Sequence, residues 1–246
     1  TDSAGRIVRP AAAIGVSGKN INRAADLISL LMLQSGVNMT TSDFSKATFA
    51  EKGRNPLLFY TKFANPASEF YTWNDTQKNS LDSFASEETA IIFNYQYRLR
   101  ALKEKNPFLE IGIAPMPQAS KTGTAVNYPS YWGFAVSNRA VNQTGAWNFV
   151  WNFSANESVA KIAAEKTGRL PALRSLISAR VNDPEWSVFA RQALSARSWP
   201  QVDNNEVDEA FSEMIDDVLD GANPAKALQA AESKITALME RKKQNL

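Results

Sequence analysis

The sequence predicts an α/β protein with fewer strands than a complete doubly wound sheet would need. Amphipathic segments with helical spacing recur along the chain, whereas only a few short apolar runs have the length and β-branched content of strands. From Arg139 to the end, helical patterns dominate. Either strands are absent from this stretch of chain, or they lack a recognisable pattern.

Helices are predicted where apolar residues recur every three or four positions between caps and breakers. The first spans about 21–35, with Asn20 as its cap and Gly36 as its end. A second cap is expected at Asn204 or Asn205, before a helix that ends at Gly221. The remaining predicted helices cover about 56–65, 75–85, 97–105, 157–166 and 224–242, with further starts at Pro171 and Pro184.

Strands are predicted at 89–93, 109–114 and 131–136, which are compact apolar runs with flanking polar or proline residues. The polar loop at 118–125 follows the second of these strands and is expected to cross between two lobes. Helix and strand patterns are therefore mixed through the middle of the chain, as in an α/β fold.

Composition restricts the function. The chain has 246 residues, of which 44% are hydrophobic and 21% charged, and a net charge of +2 without a basic stripe, so we expect no nucleic-acid partner. It contains no cysteine and no histidine, which excludes thiol nucleophiles, cysteine zinc sites and the commonest general base. No phosphate-binding loop, dinucleotide fingerprint or serine-nucleophile motif occurs, so no catalytic residue, metal or cofactor is expected.

Paired carboxylates are the one feature compatible with an enzyme. Asp216 and Asp217 are adjacent, as are Asp208 and Glu209, and two carboxylates across a cleft can hydrolyse glycosides. These residues are expected on the exposed side of an amphipathic helix, which favours a solvated surface over a catalytic site.

Aromatic residues at strand ends and in loops indicate a ligand site, because rings pack against the C–H faces of sugars and phenol hydroxyls add hydrogen bonds. The alternative for each ring is a place in the core. We leave both roles open for Trp73 and Trp132, and expect Trp147, Trp151 and Trp186 in the core because of their helical spacing. Arg169, between two helices, could bind a ligand or hold two segments together through carbonyls.

An ordered series of motifs resembles the family 1 extracellular solute-binding proteins of ABC importers, of which maltose-binding protein is a member. It begins with Asn22-Arg23-Ala24-Ala25-Asp26 and Phe84-Ala85-Ser86-Glu87-Glu88, where the family's usual glycine turn is absent. Later members of the series are Ile111–Gln118, Tyr131-Trp132-Gly133-Phe134, Ala146-Trp147-Asn148-Phe149, Gly168–Ala172 and the closing helices at 211–221 and 227–238.

The resemblance implies a periplasmic-binding-protein type II fold in which ligand is captured between two lobes by hinge closure. Residues 1–118 and 181–246 would form the C-terminal lobe, and 125–180 the returning part of an N-terminal lobe. The first N-lobe segment of the family has no counterpart here, so a missing segment or a partner chain would have to supply it. We expect the isolated chain to bind sugar weakly or undetectably; submicromolar affinity would show that the missing half is dispensable.

The resemblance also implies a binding protein rather than an enzyme, with a small-molecule ligand, a sugar or another small polar solute, and an ABC permease as partners. We expect the protein to be periplasmic or extracellular. A lipid anchor would be attached through a segment that precedes Thr1. The expected ligand-binding residues are Trp73, Asn94, Tyr95, Tyr97, Tyr131, Trp132 and Arg169. The family's stacking tryptophan is absent from 94–97, which leaves the identity of the stacking residue and of the sugar open.

Overall fold

The computed structural model describes residues 2, 5–119 and 123–244, so the predicted crossing loop lies partly outside the described residues. The helices are α1 (Ala24–Gln34), α2 (Arg54–Thr61) with a 3-10 turn (Lys62–Ala64), α3 (Ser80–Ala85), α4 (Arg98–Lys105), α5 (Gln143–Ala155), α6 (Glu157–Thr167), α7 (Arg174–Ser178), α8 (Ser187–Ala193), α9 (Asn204–Leu219) and α10 (Pro224–Gln244). None of these described helices combines the length and apolarity needed to cross a membrane.

The start of α1 differs from the prediction. The helix begins at Ala24, and Asn20 is not its cap, because the Asn20 side chain is engaged elsewhere. Its amide nitrogen donates to the carbonyls of Asn74 and Gln77, each at 3.0 Å, and its oxygen accepts the indole N–H of Trp73 at 3.1 Å. Tertiary partners therefore outcompete the local cap. The predicted end is confirmed, with Gly36 directly after the helix.

The last two helices illustrate how capping decides boundaries. Asp203, rather than Asn204 or Asn205, caps α9: its carboxylate accepts from the Asn205 and Glu206 backbone N–H groups at 3.1 and 3.4 Å. The helix ends just before Gly221, as predicted. Pro224 occupies the first position of α10, where its missing N–H costs nothing.

The predicted strands are not formed in the described residues. Isolated bridges link Ala12 to Ile91, Thr40 to Ala47 and Asn127 to Ala196, and no longer ladder connects them. Ile91 is about half exposed instead of buried. A strand requires a neighbour that accepts its backbone hydrogen bonds, and the described chain offers 109–114 and 131–136 no such neighbour.

One hydrophobic core organises the structure. Helix α9 packs along α10 and against α1 and α2, while α2 also contacts α1 and α10. At its centre, the Phe211 ring meets Phe49 edge-on at 5.3 Å and stacks on Trp199 at 6.0 Å. All buried members of this core come from 13–73 and 199–239, so the first and last thirds of the chain fold together.

The middle of the chain is buried far less. Between 129 and 198 the only buried hydrophobic residues are Ala160, Ala164, Ile177 and Ala190. Helix α5 buries none of its residues, and Trp147 and Trp151 are 55% and 72% exposed, so their prediction as core residues is wrong. Their helical spacing does define an apolar face, but apart from α6 no described helix packs extensively against α5.

Candidate functional site

The site is built on the beginning of α1, where the backbone is strained. Arg23 precedes the helix with φ 69° and ψ 33°, a left-handed conformation that costs a non-glycine residue about 1–2 kcal/mol. Its Nε lies 2.8 Å from the Asp26 carboxylate, and its guanidinium lies 5.5 Å from the centre of the Tyr95 ring. Strain of this kind concentrates at functional sites.

The segment before α4 is fastened to α1 by two hydrogen bonds. The Tyr95 hydroxyl donates to Oδ2 of Asp26 at 2.7 Å, and the Asn94 amide donates to Asn22 Oδ1 at 3.0 Å. The Tyr95 and Tyr97 rings stack with centres 5.9 Å apart and planes inclined by only 11°. The predicted residues 94–97 thus present a half-buried pair of aromatic faces beside a carboxylate.

Arg169 reaches this aromatic pair from a distant part of the chain. Gly168 adopts φ 62° at the end of α6, a conformation that glycine adopts without strain, and the chain reverses there. The Arg169 guanidinium then lies 5.0 Å from the centre of the Tyr97 ring, and Arg98 lies 5.1 Å from the same ring. The structure therefore assembles Asn94, Tyr95, Tyr97 and Arg169 in one place.

The Tyr128 phenol and the Asp208 carboxylate lie near Asp26, in addition to Tyr95. Burial raises the pKa of the Tyr128 and Tyr95 hydroxyls, and the negative charge of Asp26 raises both further. The Gln201 amide donates to the Tyr128 hydroxyl at 2.9 Å. Asp208 on α9 is only partly exposed, contrary to the fully solvated position that its helix pattern suggested.

The pKa values of the Asp26 and Asp208 carboxyl groups are both raised above the ordinary value. Burial raises the pKa of Asp26, although the Tyr95 hydroxyl and Arg23 oppose that shift. Burial also raises the pKa of Asp208, and the neighbouring Asp26 carboxylate adds to it while Arg23 acts against it. Desolvated carboxylates of this kind are strong acceptors for ligand hydroxyls.

The other predicted residues lie elsewhere. Trp73 is fully buried in the core, so it has no surface for a ligand in this structure. Tyr131 and Trp132 are 70% and 81% exposed, and Tyr131 has only Ser198 near its hydroxyl, at 3.3 Å. In the part of the chain that the structure describes, no ring contact or hydrogen bond joins them to Tyr95 or Tyr97.

Sequence reasoning missed Arg23, Asp26 and Asp208 as site residues. Arg23 and Asp26 stood in a motif that carried the family resemblance, so the signal was available. The sequence contains no signal that marks Asp208 as a site residue. Helical periodicity distinguishes the inner from the outer face of a helix, but it does not distinguish a solvated carboxylate from a half-buried one. In the described chain, no group of carboxylates is arranged to hold a metal ion.

Replacing Asp208 with asparagine is expected to stabilise the protein at pH 7. Because its folded-state pKa is raised above the unfolded value, ionised Asp208 opposes folding, and this penalty disappears as pH falls toward about 3.9. After allowance for partial solvent screening, we expect a thermal midpoint about 2 °C higher at pH 7. The difference should shrink as pH falls through the folded-state pKa and be nearly absent at about pH 3.5, below the unfolded value, which thermal unfolding across this range would measure.

Asp217→Asn is the matched control, because Asp217 lies on the same helix but is exposed. It should leave the midpoint nearly unchanged at every pH. A gain for Asp208→Asn that is the same at pH 7 and at about pH 3.5 would contradict the assignment to ionisation of that carboxyl.

The sequence comparison decides the family. A model of the bacterial extracellular solute-binding proteins matches residues 12–188, which is more than half of the chain and includes α1, the Tyr95–Tyr97 pair and Arg169. The chain belongs to the bacterial extracellular solute-binding protein family. No curated protein sequence matches it significantly.

Solved structures of solute-binding proteins share the fold. The sugar-binding protein MalE from Xanthomonas citri has a TM-score of 0.73 at 16% identity, over 97% of this chain and 60% of that chain. The cyclic alpha-maltosyl-1,6-maltose binding protein from Arthrobacter globiformis has a TM-score of 0.67 at 17% identity, over 95% and 60%. A Thermotoga lettingae solute-binding protein bound to alpha-D-tagatose has a TM-score of 0.67 at 21% identity, over 97% and 61%.

These likenesses establish the periplasmic-binding-protein type II fold for this solute-binding chain, which spans about 60% of the length of those structures. The family and the similar structures are binding proteins, not enzymes. The family is described as extracellular. Of the carboxylate pair that suggested an enzyme, Asp216 forms an ion pair with Lys19 at 2.9 Å and Asp217 is exposed.

Proposed function

We propose that this solute-binding protein captures a sugar for an ABC permease, and that the ligand binds at the Tyr95–Tyr97 pair. The observation that carries the proposal is the stacked pair itself, flanked by the Asp26 carboxylate on one side and the Arg169 guanidinium on the other. Aromatic faces take the C–H face of a sugar ring, while carboxylates and guanidiniums bind its hydroxyls. Among solved structures of the same fold, the maltose/maltodextrin-binding domain MalE from Bdellovibrio bacteriovorus is bound to maltotriose and the Thermotoga lettingae protein to alpha-D-tagatose.

The location of the hydrophobic core and the contact of Arg169 with Tyr97 support a division into two lobes. In the proposal, 1–118 and 181–246 form one lobe, and 125–180 belongs to the other. The buried residues of the core all lie outside 125–180, and within that range only Val126 and Tyr128, at its beginning, pack against the core. The contact of Arg169 with Tyr97 would then cross the interlobe cleft, where hinge closure could strengthen contacts with a bound sugar.

The exposed apolar residues of 131–151 support the proposal that a further N-lobe segment, from the same protein or a partner chain, covers this part of the structure. Trp132, Phe134, Trp147, Phe149 and Trp151 are all more than half exposed. A contiguous set of large exposed apolar side chains is unusual unless a partner covers it.

We further propose that the protein acts outside the cytoplasmic membrane and is lipid-anchored, which palmitate-analogue labelling of cells would test.

Tyr97→Ala is expected to weaken sugar binding about tenfold, because it removes the outer ring of the stack; tenfold corresponds to about 1.4 kcal/mol. With part of the cleft uncovered, we expect dissociation constants in the millimolar range. NMR titration with maltose, maltotriose and tagatose, at concentrations up to tens of millimolar, would measure the dissociation constants of the 15N-labelled unmodified chain and of Tyr97→Ala.

The control is Tyr71→Ala, since Tyr71 lines a separate surface cleft of about 340 Å³ with Phe63 and Phe70. It should bind sugar as the unmodified chain does. The proposal would be overturned if no sugar shifted any resonance, or if the shifts persisted unchanged in Tyr97→Ala.

A further inference from the structure

A buried arginine nitrogen without a hydrogen-bond partner lies at the proposed ligand site. In the described residues, three buried side-chain polar atoms lack a hydrogen-bond partner: Nε of Arg23, Nε of Arg98 and Oδ1 of Asn127. Arg23 lies against Tyr95 and Arg98 lies against Tyr97, whereas the Asn127 side chain lies beside Ser195, to which its amide donates at 2.8 Å. Nε of Arg23 lies 2.8 Å from the Asp26 carboxylate and is ion-paired with it, so Nε of Arg98 is the atom at this site that a ligand would satisfy. Buried polar atoms without partners are rare and mark places where a ligand or water completes the bonding.

Two guanidiniums at this site also lack a counter-charge. Arg98 and Arg169 both lie about 5 Å from the centre of the Tyr97 ring. Neither forms an ion pair with any carboxylate of the described chain, although Arg100 on the same helix pairs with Glu104 at 2.8 Å. Half-buried cations without a partner favour an anion, and the planar fork of arginine matches a carboxylate in particular.

The opposite side of the aromatic pair has the complementary character. Asp26 accepts from Tyr95, and Asp208 lies close enough for the two carboxylates to repel each other electrostatically. Carboxylates accept hydrogen bonds from hydroxyl groups and repel anions. The two sides of the site therefore differ in charge. Beside Tyr95 lie the carboxylates of Asp26 and Asp208 with one cation, Arg23, which pairs with Asp26, whereas the cations Arg98 and Arg169 lie beside Tyr97.

We propose that the ligand is an acidic saccharide, a sugar whose ring bears a carboxylate, as in a uronic acid. Because Tyr95 and the two guanidiniums lie against the Tyr97 ring, the sugar contacts the edge of that ring. Its carboxylate is bound by Arg98 and Arg169, and its hydroxyls donate to Asp26 and Asp208. This inference rests on the proposed function of the same site and narrows its substrate class. A neutral sugar would leave both guanidiniums without a counter-charge.

The test compares charged and neutral forms of the same ring. The chain is titrated, by NMR, with the disaccharides of galacturonate, glucuronate and mannuronate, with the methyl ester of each, and with maltose. At low ionic strength at least one acid should bind about tenfold more tightly than its own methyl ester, because charge-assisted hydrogen bonds are roughly twice as strong as neutral ones. The preference should decline as sodium chloride is added.

Arg169→Gln should reduce the affinity for that acid to the level of its ester. Arg100→Gln removes one positive charge from the exposed side of α4 and should retain the preference. If every acid binds no better than its ester while maltose or the esters bind, the acidic-ligand inference is overturned and sugar capture stands. If neither acids, esters nor maltose bind, sugar capture at this site fails as well.

Discussion

Phe211→Ala is expected to destabilise the protein by about 3–5 kcal/mol, the range for removing a large aromatic side chain from a packed core. Phe211 is fully buried on α9 and contacts Phe49 at 5.3 Å and Trp199 at 6.0 Å between ring centres. Removing the ring leaves a cavity where helices from both ends of the chain meet, and the surrounding backbone cannot collapse fully to fill it. Urea unfolding followed by circular dichroism measures the loss.

Phe108→Ala is the matched control, because the Phe108 ring is 91% exposed and its removal leaves no cavity. Its effect should stay within about 0.5 kcal/mol. Equal losses for the two variants, or a loss below about 1 kcal/mol for Phe211→Ala, would mean that the core does not depend on the packing described here.

Gly15→Ala is expected to cost about 3 kcal/mol or more, through strain and a steric clash together. Gly15 has φ 110°, which L-residues rarely adopt, and a Cβ there would lie 2.7 Å from the backbone nitrogen of Ala64. Because that atom belongs to the backbone at the end of the 3-10 turn, no side-chain rotation relieves the contact. The free energy of unfolding, from the same urea titration, measures the cost.

Gly112→Ala provides the comparison for this substitution. No atom lies within 4 Å of a Cβ built at Gly112, and its backbone is outside the left-handed region. Alanine there should be neutral or slightly stabilising, since it also restricts the unfolded chain. A Gly15→Ala variant as stable as Gly112→Ala would show that the close approach of 15 and 64 is not a feature of the folded protein.

The candidate site could be predicted only in part. Asn94, Tyr95, Tyr97 and Arg169 were selected from sequence, and the structure brings them together, although their role in binding stays a prediction. Trp73 was selected for the same chemical reasons but is enclosed by the core, where its N–H meets Asn20. An aromatic residue in a loop has the same sequence signature whether its ring faces solvent or the interior.

Local signals by themselves determined which segments are helical and where several of them stop. Gly36, Gly168, Gly221 and Pro224 act within one turn of the backbone, so their effects need no distant partner. The absence of histidine and cysteine likewise restricted the chemistry without reference to any fold.

Tertiary structure alone decided everything that depends on a distant partner. The Asn20 side chain does not cap α1, because it accepts a hydrogen bond from the indole of Trp73. The predicted strands are not formed, because no neighbouring strand in the described chain pairs with them. Asp208 became part of a polar cluster because α9 brings it beside Asp26 and Arg23, which precede it by some 180 residues. Burial and charge proximity are properties of the folded chain, and the periodicity of a single helix does not contain them.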